Sequence, residues 1–289
     1  MPGRDSQPSL SVESFLAIRS LVRSFAGMQL SDDARNTVER RLSDRVEALD
    51  LAGFEDYVRY LRQHARGVSE LELAVELLAT NETYFFRELP QLRAFEHRIL
   101  PQLRDLGEVR RSLSVWSAGC STGEEVYTLA ILIAASELFG GFTVRVLGSD
   151  ISRRVLQVAR KGVYRDSSFR AMPSQYARHF TSDDEGMIVT PAIRAVCHFA
   201  HLNLLDDARA VLIGRVDAIF CRNVLIYLDL ETRQKVVRMF YDRLHPGGFL
   251  MLGHSESLLH MQTSFETVQV DGVLAYRKPL SASALEARR

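Results

Sequence analysis

The chain has 289 residues, 46% of them hydrophobic, with 36 Lys and Arg against 36 Asp and Glu. That is enough apolar material for two domains of roughly 150 residues each, and zero net charge excludes a global field for nucleic acid or an anionic membrane. The longest charge-free apolar stretch, Val126–Ser136, falls short of the roughly 18 residues of a spanning helix, and residues 1–11 lack an apolar signal core, so a cytoplasmic protein is expected. Three cysteines, Cys120, Cys197 and Cys221, without C-x-x-C spacing, give neither a disulfide framework nor a zinc site.

Residues 1–9, rich in Pro, Gly and Ser, read as a mobile lead. Apolar residues then recur at helical spacing. Phe15, Ile18, Val22 and Phe25 mark one helix; Val38, Leu42, Val46 and Leu49 mark a second behind an N-cap at Ser31 or Asp32. Phe54, Tyr57, Val58 and Leu61 mark a third, and Leu71, Ala74, Val75 and Leu78 a fourth behind a capping box of Ser69 and Glu72. Residues 12–80 thus form a small helical domain without a cluster of catalytic residue types, suited to docking or covering. A polar and aromatic segment, 81–88, and a helix over 90–106 lead into the second domain, with 81–111 as the linking region.

From Leu113 the pattern is α/β: strand 113–118, loop 119–123, helix 124–139, strand 143–149 and helix 153–161. Strands follow at 195–201, 217–221 and 249–253, with a helix over 230–244 stopped by Pro246, Gly247 and Gly248. Phe265–Val270 and Val273–Lys278 around Asp271-Gly272 read as a hairpin with a two-residue turn. The fold class is α/β, a mostly parallel, doubly wound sheet over about 112–280 with an antiparallel end. Residues 162–190 fit the alternation poorly and read as a small insertion; 279–289 read as frayed.

Ser117-Ala118-Gly119-Cys120-Ser121-Thr122-Gly123-Glu124 carries the first strand into a helix, the place where doubly wound sheets bind ligands. Glycines admit a ligand close to the backbone, and the helix N-terminus offers unpaired N–H groups; a tight turn without ligand is the alternative. Ser121 stands where G-x-G-x-x-G has its second glycine, which disfavours a dinucleotide cradle. The same residues match the G-x-S-x-G elbow of α/β-hydrolases, with Asp217 and His245 or His254 completing the chain order. Against that reading, an elbow normally follows several strands, and no oxyanion segment precedes this one. Asp150, closing the second strand, lies near the offset at which a carboxylate accepts from ribose hydroxyls, or else caps a helix.

Asn81-Glu82-Thr83-Tyr84-Phe85-Phe86-Arg87-Glu88, Trp116–Glu125, Ser149-Asp150-Ile151, Phe220–Tyr227 and Gly253-His254-Ser255-Glu256-Ser257 resemble, in this order, the CheR family of chemotaxis receptor protein-glutamate methyltransferases. The hairpin ending is also similar to that of S-adenosylmethionine (SAM)-dependent methyltransferases. The resemblance implies a Rossmann-like SAM-methyltransferase domain, an all-α N-terminal domain and a β-insertion over about 162–200. It implies SAM as donor, S-adenosylhomocysteine as product, receptor glutamates as acceptors, and no metal. Asn81, Thr83 and Arg87 would bind SAM, Arg87 pairing with the methionyl carboxylate. Glu124 would hold the methionyl end, Asp150 the ribose, Asn203 and Leu204 the adenine edge, with Arg222 and Asn223 completing the set. Arg87 and Tyr227 are the catalytic candidates, Tyr227 lining the methyl-transfer channel. Each has a plainer reading: Asn81 as a helix cap, Arg87 as a carboxylate's partner, Tyr227 as core.

Residues 1–80 hold ten Arg against thirteen acids, yet Arg35, Arg40, Arg41 and Arg45 cluster near the second helix. They make a basic face for acidic receptor methylation helices, or a solvated face offset by Glu39, Asp44 and Glu47. Some members of the resembled family also grip a peptide at the receptor's C-terminus. Here the insertion is short, with Gly186 alone marking its turn, and no tether is expected. Other readings are a relative that modifies a different protein or a small acid, and a SAM-binding regulatory module without transfer activity.

Overall fold

In the computed structural model, which describes residues 9–280, the chain divides into two units. Among the described residues one is 9–80 with 227–232, the other 81–226 with 233–280. The expectations for residues 1–8 and 281–289 lie outside the described residues.

The first unit is helical. α1, Val12–Ala26, starts where Ser11 Oγ accepts from Ser14 N at 3.1 Å and stops at Gly27, which takes the left-handed φ of 68°. α2, Arg35–Ala48, follows a 3₁₀ turn at Asp32–Ala34. The Ser31 hydroxyl donates to Asp33 Oδ1 instead of capping, so the cap expected at Ser31 or Asp32 opens only that turn. α3 is Phe54–Gln63 and α4 is Gly67–Leu78. The Ser69–Glu72 capping box does not begin α4, which starts two residues earlier at Gly67. A Cβ on residue 67 would lie 2.5 Å from Leu61 O and 2.8 Å from Tyr60 O, so glycine lets the two helices turn tightly there.

The apolar stripes converge on Phe15, Ile18, Val22, Val38, Leu42, Val46, Tyr57 and Ala74, all buried. Among them Glu70, 4% exposed, accepts from Arg45 Nε and Nη2 at 2.8 and 2.7 Å and from Tyr57 Oη at 3.0 Å. Burial, then the Glu70 charge, pushes the Tyr57 phenol up. Arg41 donates to the carbonyls of Leu77, Leu78 and Ala79 at 3.2, 2.8 and 3.2 Å, where the end of α4 leaves acceptors unpaired. This corrects the expected basic face: Arg41 and Arg45 serve the fold, and only Arg35 and Arg40 of the four are exposed. Residues 227–232 complete the unit, with Met28 bridging Leu228, Gln29 N donating to Tyr227 O at 2.7 Å, and Arg23 Nε meeting Asp229 Oδ2 at 2.7 Å.

In the second unit, α5 (Leu89–Ala94) and α6 (Leu100–Gly107) flank a π turn at Phe95–Ile99. The helix expected over 90–106 is thereby interrupted. Pro101 has no N–H and crowds the preceding turn, and Leu100 N reaches back five residues to Phe95 O. β1 (Ser112–Ala118), α7 (Glu124–Ala135), β2 (Thr143–Asp150) and α8 (Arg153–Lys161) follow. α7 ends four residues before the expected 139, since Glu137 adopts φ 57°. β3 (Val163–Tyr164), β4 (Phe180–Asp183) and β5 (Gly186–Val189) form a separate antiparallel sheet of order β3-β5-β4. After the single turn α9 (Pro191–Arg194), β6 begins at Cys197 rather than 195 and runs to His201. α10 (Asp207–Ala210), β7 (Val216–Cys221), α11 (Leu230–Arg243), β8 (Leu244–Leu252), β9 (Glu266–Val270) and β10 (Val273–Arg277) complete it.

The main sheet has the order β6-β2-β1-β7-β8-β10-β9; the first five strands are parallel and the last two antiparallel. The β9–β10 turn has Asp271 and Gly272 at φ 47° and 79°, the two positive values that a two-residue hairpin turn demands. Strand order reverses between β1 and β7, so the loops leaving those strands diverge and open a crevice at their carboxyl ends.

Candidate functional site

The loop after β1 is built on left-handed residues, with Gly119, Ser121 and Gly123 at φ 82°, 48° and 94°. Gly119 N and Cys120 N both donate to Ser149 O, at 2.8 and 2.9 Å, which pulls the loop against the end of β2. Ser121 N donates to Asp150 Oδ2 at 2.8 Å, and Asp150 Oδ1 accepts from Ser152 N at 2.9 Å. Ser152, not Asp150, caps α8, its hydroxyl accepting from Val155 N. Leu202 N reaches the Asp150 backbone oxygen at 3.0 Å, so Asn203 and Leu204 follow directly on the end of β6 beside β2; Asn203 Oδ1 accepts from Leu205 N.

Segment 81–88 is anchored by its aromatic pair. Phe85 packs on Tyr164, Phe169 and Phe180, and Phe86 stacks on Tyr176. That anchorage lays the segment along the loop, where Asn81 O accepts from Ser121 Oγ at 3.1 Å. Thr83 is half-buried, and so is Arg87, whose Nη1 donates to Glu82 O at 2.6 Å.

Acidic groups dominate. Glu124, 3% exposed, accepts from Thr122 Oγ1 at 2.6 Å and Ser168 Oγ at 3.0 Å; burial pushes its carboxyl up against the pull of those hydroxyls. Glu125 accepts from Ser117 Oγ at 2.7 Å and from Arg222 Nη1 at 3.0 Å. Arg222 Nη2 donates to Arg87 O at 2.5 Å and lies 3.3 Å from Glu88 Oε2. Burial pushes the Glu88 carboxyl up, but the Arg222 charge and His254 outweigh it and hold it below the usual carboxylate range. The Arg222 guanidinium therefore serves as an internal counter-charge. Asn223 takes φ 59° with its Oδ1 buried and unpartnered, and neighbouring Val224 fills the space where a Cβ on Gly119 would project.

The structure thus gathers Asn81, Glu124, Asp150, Asn203, Leu204, Arg222 and Asn223 at the crevice, with Arg87 tied in through its carbonyl. Tyr227 packs with the helical unit. Spacing alone had not singled out Glu88, Glu125 or Glu256, although all three stand inside the quoted motifs.

The hydrolase arrangement does not assemble. Ser121 has an elbow-like φ, but its hydroxyl donates to Asn81 O. Asp217, at the start of β7, is held by Arg110 at 2.5 Å and Ser114 N at 2.8 Å, on the end of the sheet away from Ser121. His245 starts β8 among the charges of Arg110 and Asp217, and His254 pairs with Glu88 at 3.0 Å.

Glu88 and Glu125 pair with Arg222 and backbone N–H groups hold Glu256, while Glu124 and Asp150 stand at the β1 loop and the end of β2, where carboxylates suit a ligand carrying positive charge. A sulfonium and an α-ammonium fit this acidic surround. The carboxylate at the end of β2 fits ribose hydroxyls, and the orphaned Asn223 oxygen fits a donor. Among the described residues no group of His, Cys, Asp and Glu is placed to hold a metal ion, and no helix is long and apolar enough to cross a membrane.

Residues 13–78 match the family model of the CheR methyltransferase all-alpha domain, and residues 81–274 that of the CheR methyltransferase SAM binding domain. The chain is 37% identical over 262 residues to the chemotaxis protein methyltransferase of Escherichia coli, covering 89% of this chain and 88% of that one. It is 33% identical over 270 residues to chemotaxis protein methyltransferase 2 of Vibrio cholerae, covering 92% of each. To chemotaxis protein methyltransferase 2 of Pseudomonas aeruginosa it is 36% identical over 259 residues, covering 86% of this chain and 88% of the relative. With an all-α domain ahead of a SAM binding domain, each matched over nearly its whole unit, the chain belongs to the CheR methyltransferase family.

Proposed function

We propose that this protein transfers a methyl group from SAM to glutamate side chains on the cytoplasmic helices of chemoreceptors, forming glutamyl methyl esters in chemotactic adaptation. The observation that supports the proposal is the acidic crevice at the ends of β1, β2 and β7, where Asn81, Ser121 and Asp150 are linked by hydrogen bonds and no nucleophile–base pair assembles around Ser121. Bound there, the cofactor supplies a methyl group on a sulfonium, whose departure leaves a neutral thioether.

The chain's own work is alignment. Arg87 holds the methionyl carboxylate by charge-assisted bonds, Glu124 the methionyl ammonium with Asn81 and Thr83 nearby, Asp150 the ribose, and Asn203 and Leu204 the adenine edge. Arg222 and Asn223 shape the opposite wall, and Tyr227 orients the acceptor. A glutamate is ionised at neutral pH, so no general base has to remove a proton, and orientation with exclusion of water supplies most of the acceleration. The helical unit docks the receptor helices through Arg35 and Arg40, which stay exposed while Arg41 and Arg45 turn inward. No receptor tether is assigned to the β3-β5-β4 sheet. The family relatives, named chemotaxis protein methyltransferases, support this reading.

Calorimetric titration with SAM and S-adenosylhomocysteine, then transfer of labelled methyl groups onto purified receptor cytoplasmic fragments, tests it. Binding of both ligands and base-labile label on glutamates is expected. No heat with either ligand would overturn the assignment, and binding without transfer would favour a regulatory module.

A further inference from the structure

The Glu256 carboxylate gathers four backbone N–H groups. Its Oε2 accepts from Gly253 N at 2.8 Å and Asn223 N at 2.7 Å; its Oε1 accepts from Val224 N at 2.9 Å and Ile226 N at 3.1 Å. The residue is 9% exposed, and its own N–H closes the turn onto Gly253 O at 2.9 Å. Consecutive N–H groups of Asn223 and Val224, with Asn223 left-handed at φ 59°, form the kind of concave nest that backbone uses to bind anions. Here the anion is the chain's own. Residue 253 has to be small for this to work: a Cβ there would lie 2.8 Å from Glu256 Oε2 and 2.9 Å from Asn223 N.

The clamped segment touches the cofactor loop from behind. Val224 Cγ2 would lie 2.5 Å from a Cβ on Gly119, so the β1 loop and the β7 loop are packed against each other at that point. On the other flank, Arg222 reaches Glu125 and the carbonyl of Arg87. A shift of Asn223 and Val224 therefore moves both walls of the crevice. We infer that Glu256 is the positioning residue of this site, acting through Asn223 and Val224 and not on the reacting atoms. The inference rests on the methyl-transfer reading.

Glu256→Gln keeps the shape but sets an amide NH₂ against two of the four donors, leaving them unsatisfied. In the folded variant, hydrogen exchange at residues 223, 224, 226 and 253 should speed up by about 10-fold or more, reporting a locally opened loop. The Kd for S-adenosylhomocysteine should rise about 10-fold and kcat should fall about 10- to 100-fold, the scale set by sub-ångström to ångström misplacement, while KM for the receptor fragment stays constant. Gly253→Ala should reproduce the pattern by pushing an unaltered carboxylate out of the nest, and it carries the test if Glu256→Gln does not fold.

A merely structural role lowers the melting temperature and the folded fraction but leaves Kd and kcat per folded molecule at wild-type values; that result overturns the inference. Failure of the wild-type protein to bind S-adenosylhomocysteine sinks the methyl-transfer reading instead, and the exchange comparison then still decides whether Glu256 holds the loop.

Discussion

Replacing Arg222 by methionine removes a charge on which both walls of the crevice depend. The side chain is 3% exposed, lies 3.0 Å from Glu125 Oε2 and 3.3 Å from Glu88 Oε2, and donates to the Arg87 carbonyl. Without it, two carboxylates with side chains only 13% and 14% exposed stay in a low dielectric with no guanidinium between them. Breaking one side of a buried pair costs about 3–5 kcal/mol, and the lower end is expected here because some water reaches both acids. In a unit of this size that loss lowers Tm by roughly 6–12 °C.

Trp116 is the sole tryptophan, fully buried and bonded to Ser149 Oγ at 2.9 Å, so its fluorescence during urea unfolding reports this unit. The pH dependence has a definite sign. Arg222 and His254 hold Glu88 below its usual range in spite of burial. A carboxylate lowered in the folded state stabilises fully above its unfolded pKa of about 4.3 and loses that contribution as pH falls through the folded value. In the variant burial acts unopposed by Arg222, so the stability gap is full at pH 7 and narrows as pH falls toward 4. A gap below about 1 kcal/mol at pH 7, or one that is constant down to pH 4, would refute the counter-charge argument.

Arg87→Ala should weaken SAM binding by about 1.5–3 kcal/mol, the range for a charge-assisted hydrogen bond; wild-type affinity by calorimetry would remove Arg87 from the site. Ser121→Ala forfeits only the bond to Asn81 O, about 1 kcal/mol, and should retain most transfer activity, whereas near-complete loss would restore a chemical role for the hydroxyl. Burial pushes the thiols of Cys120 and Cys221 well up and that of Cys197 to about 12. All three should therefore resist a thiolate-selective reagent at pH 8 in the native protein and react in urea; rapid native labelling would contradict the burial.

The helices of the first unit and the alternation of the second were legible because an apolar stripe at 3.6 spacing or a short buried run is a local property of the chain. Ends and breaks were less so. Ser69 and Glu72 satisfy the capping-box pattern, yet α4 starts at Gly67, where the carbonyls of Tyr60 and Leu61 leave no room for a Cβ, a contact with the preceding helix that no local pattern contains. Pro101 was visible in the sequence, but an apolar stripe on both sides of it reads as one helix until the π turn at Phe95–Ile99 shows how the backbone absorbs the missing donor.

The site divides along the same line. The Gly119–Gly123 loop and Asp150 were readable, since a strand-to-helix turn and an acid at the next strand end are features of contiguous sequence. The partners of the arginines were not. Arg41 and Arg45 look like outward basic residues until Glu70 and the last carbonyls of α4, 25 to 38 positions away, claim them. Arg87 and Arg222 are alike by type and both stand in family motifs, yet their surroundings differ. Arg222 has its terminal nitrogens committed to Glu125, Glu88 and a carbonyl, whereas half-buried Arg87 donates to a backbone oxygen, Glu82 O, and meets no carboxylate there. A ligand carboxylate entering the crevice has to find a cation not already neutralised. The methionyl carboxylate is therefore proposed for Arg87, while Arg222 holds Glu88, Glu125 and the Arg87 carbonyl in place, so Arg87→Ala should act on affinity alone and Arg222→Met on stability and, through the walls it holds, on affinity as well.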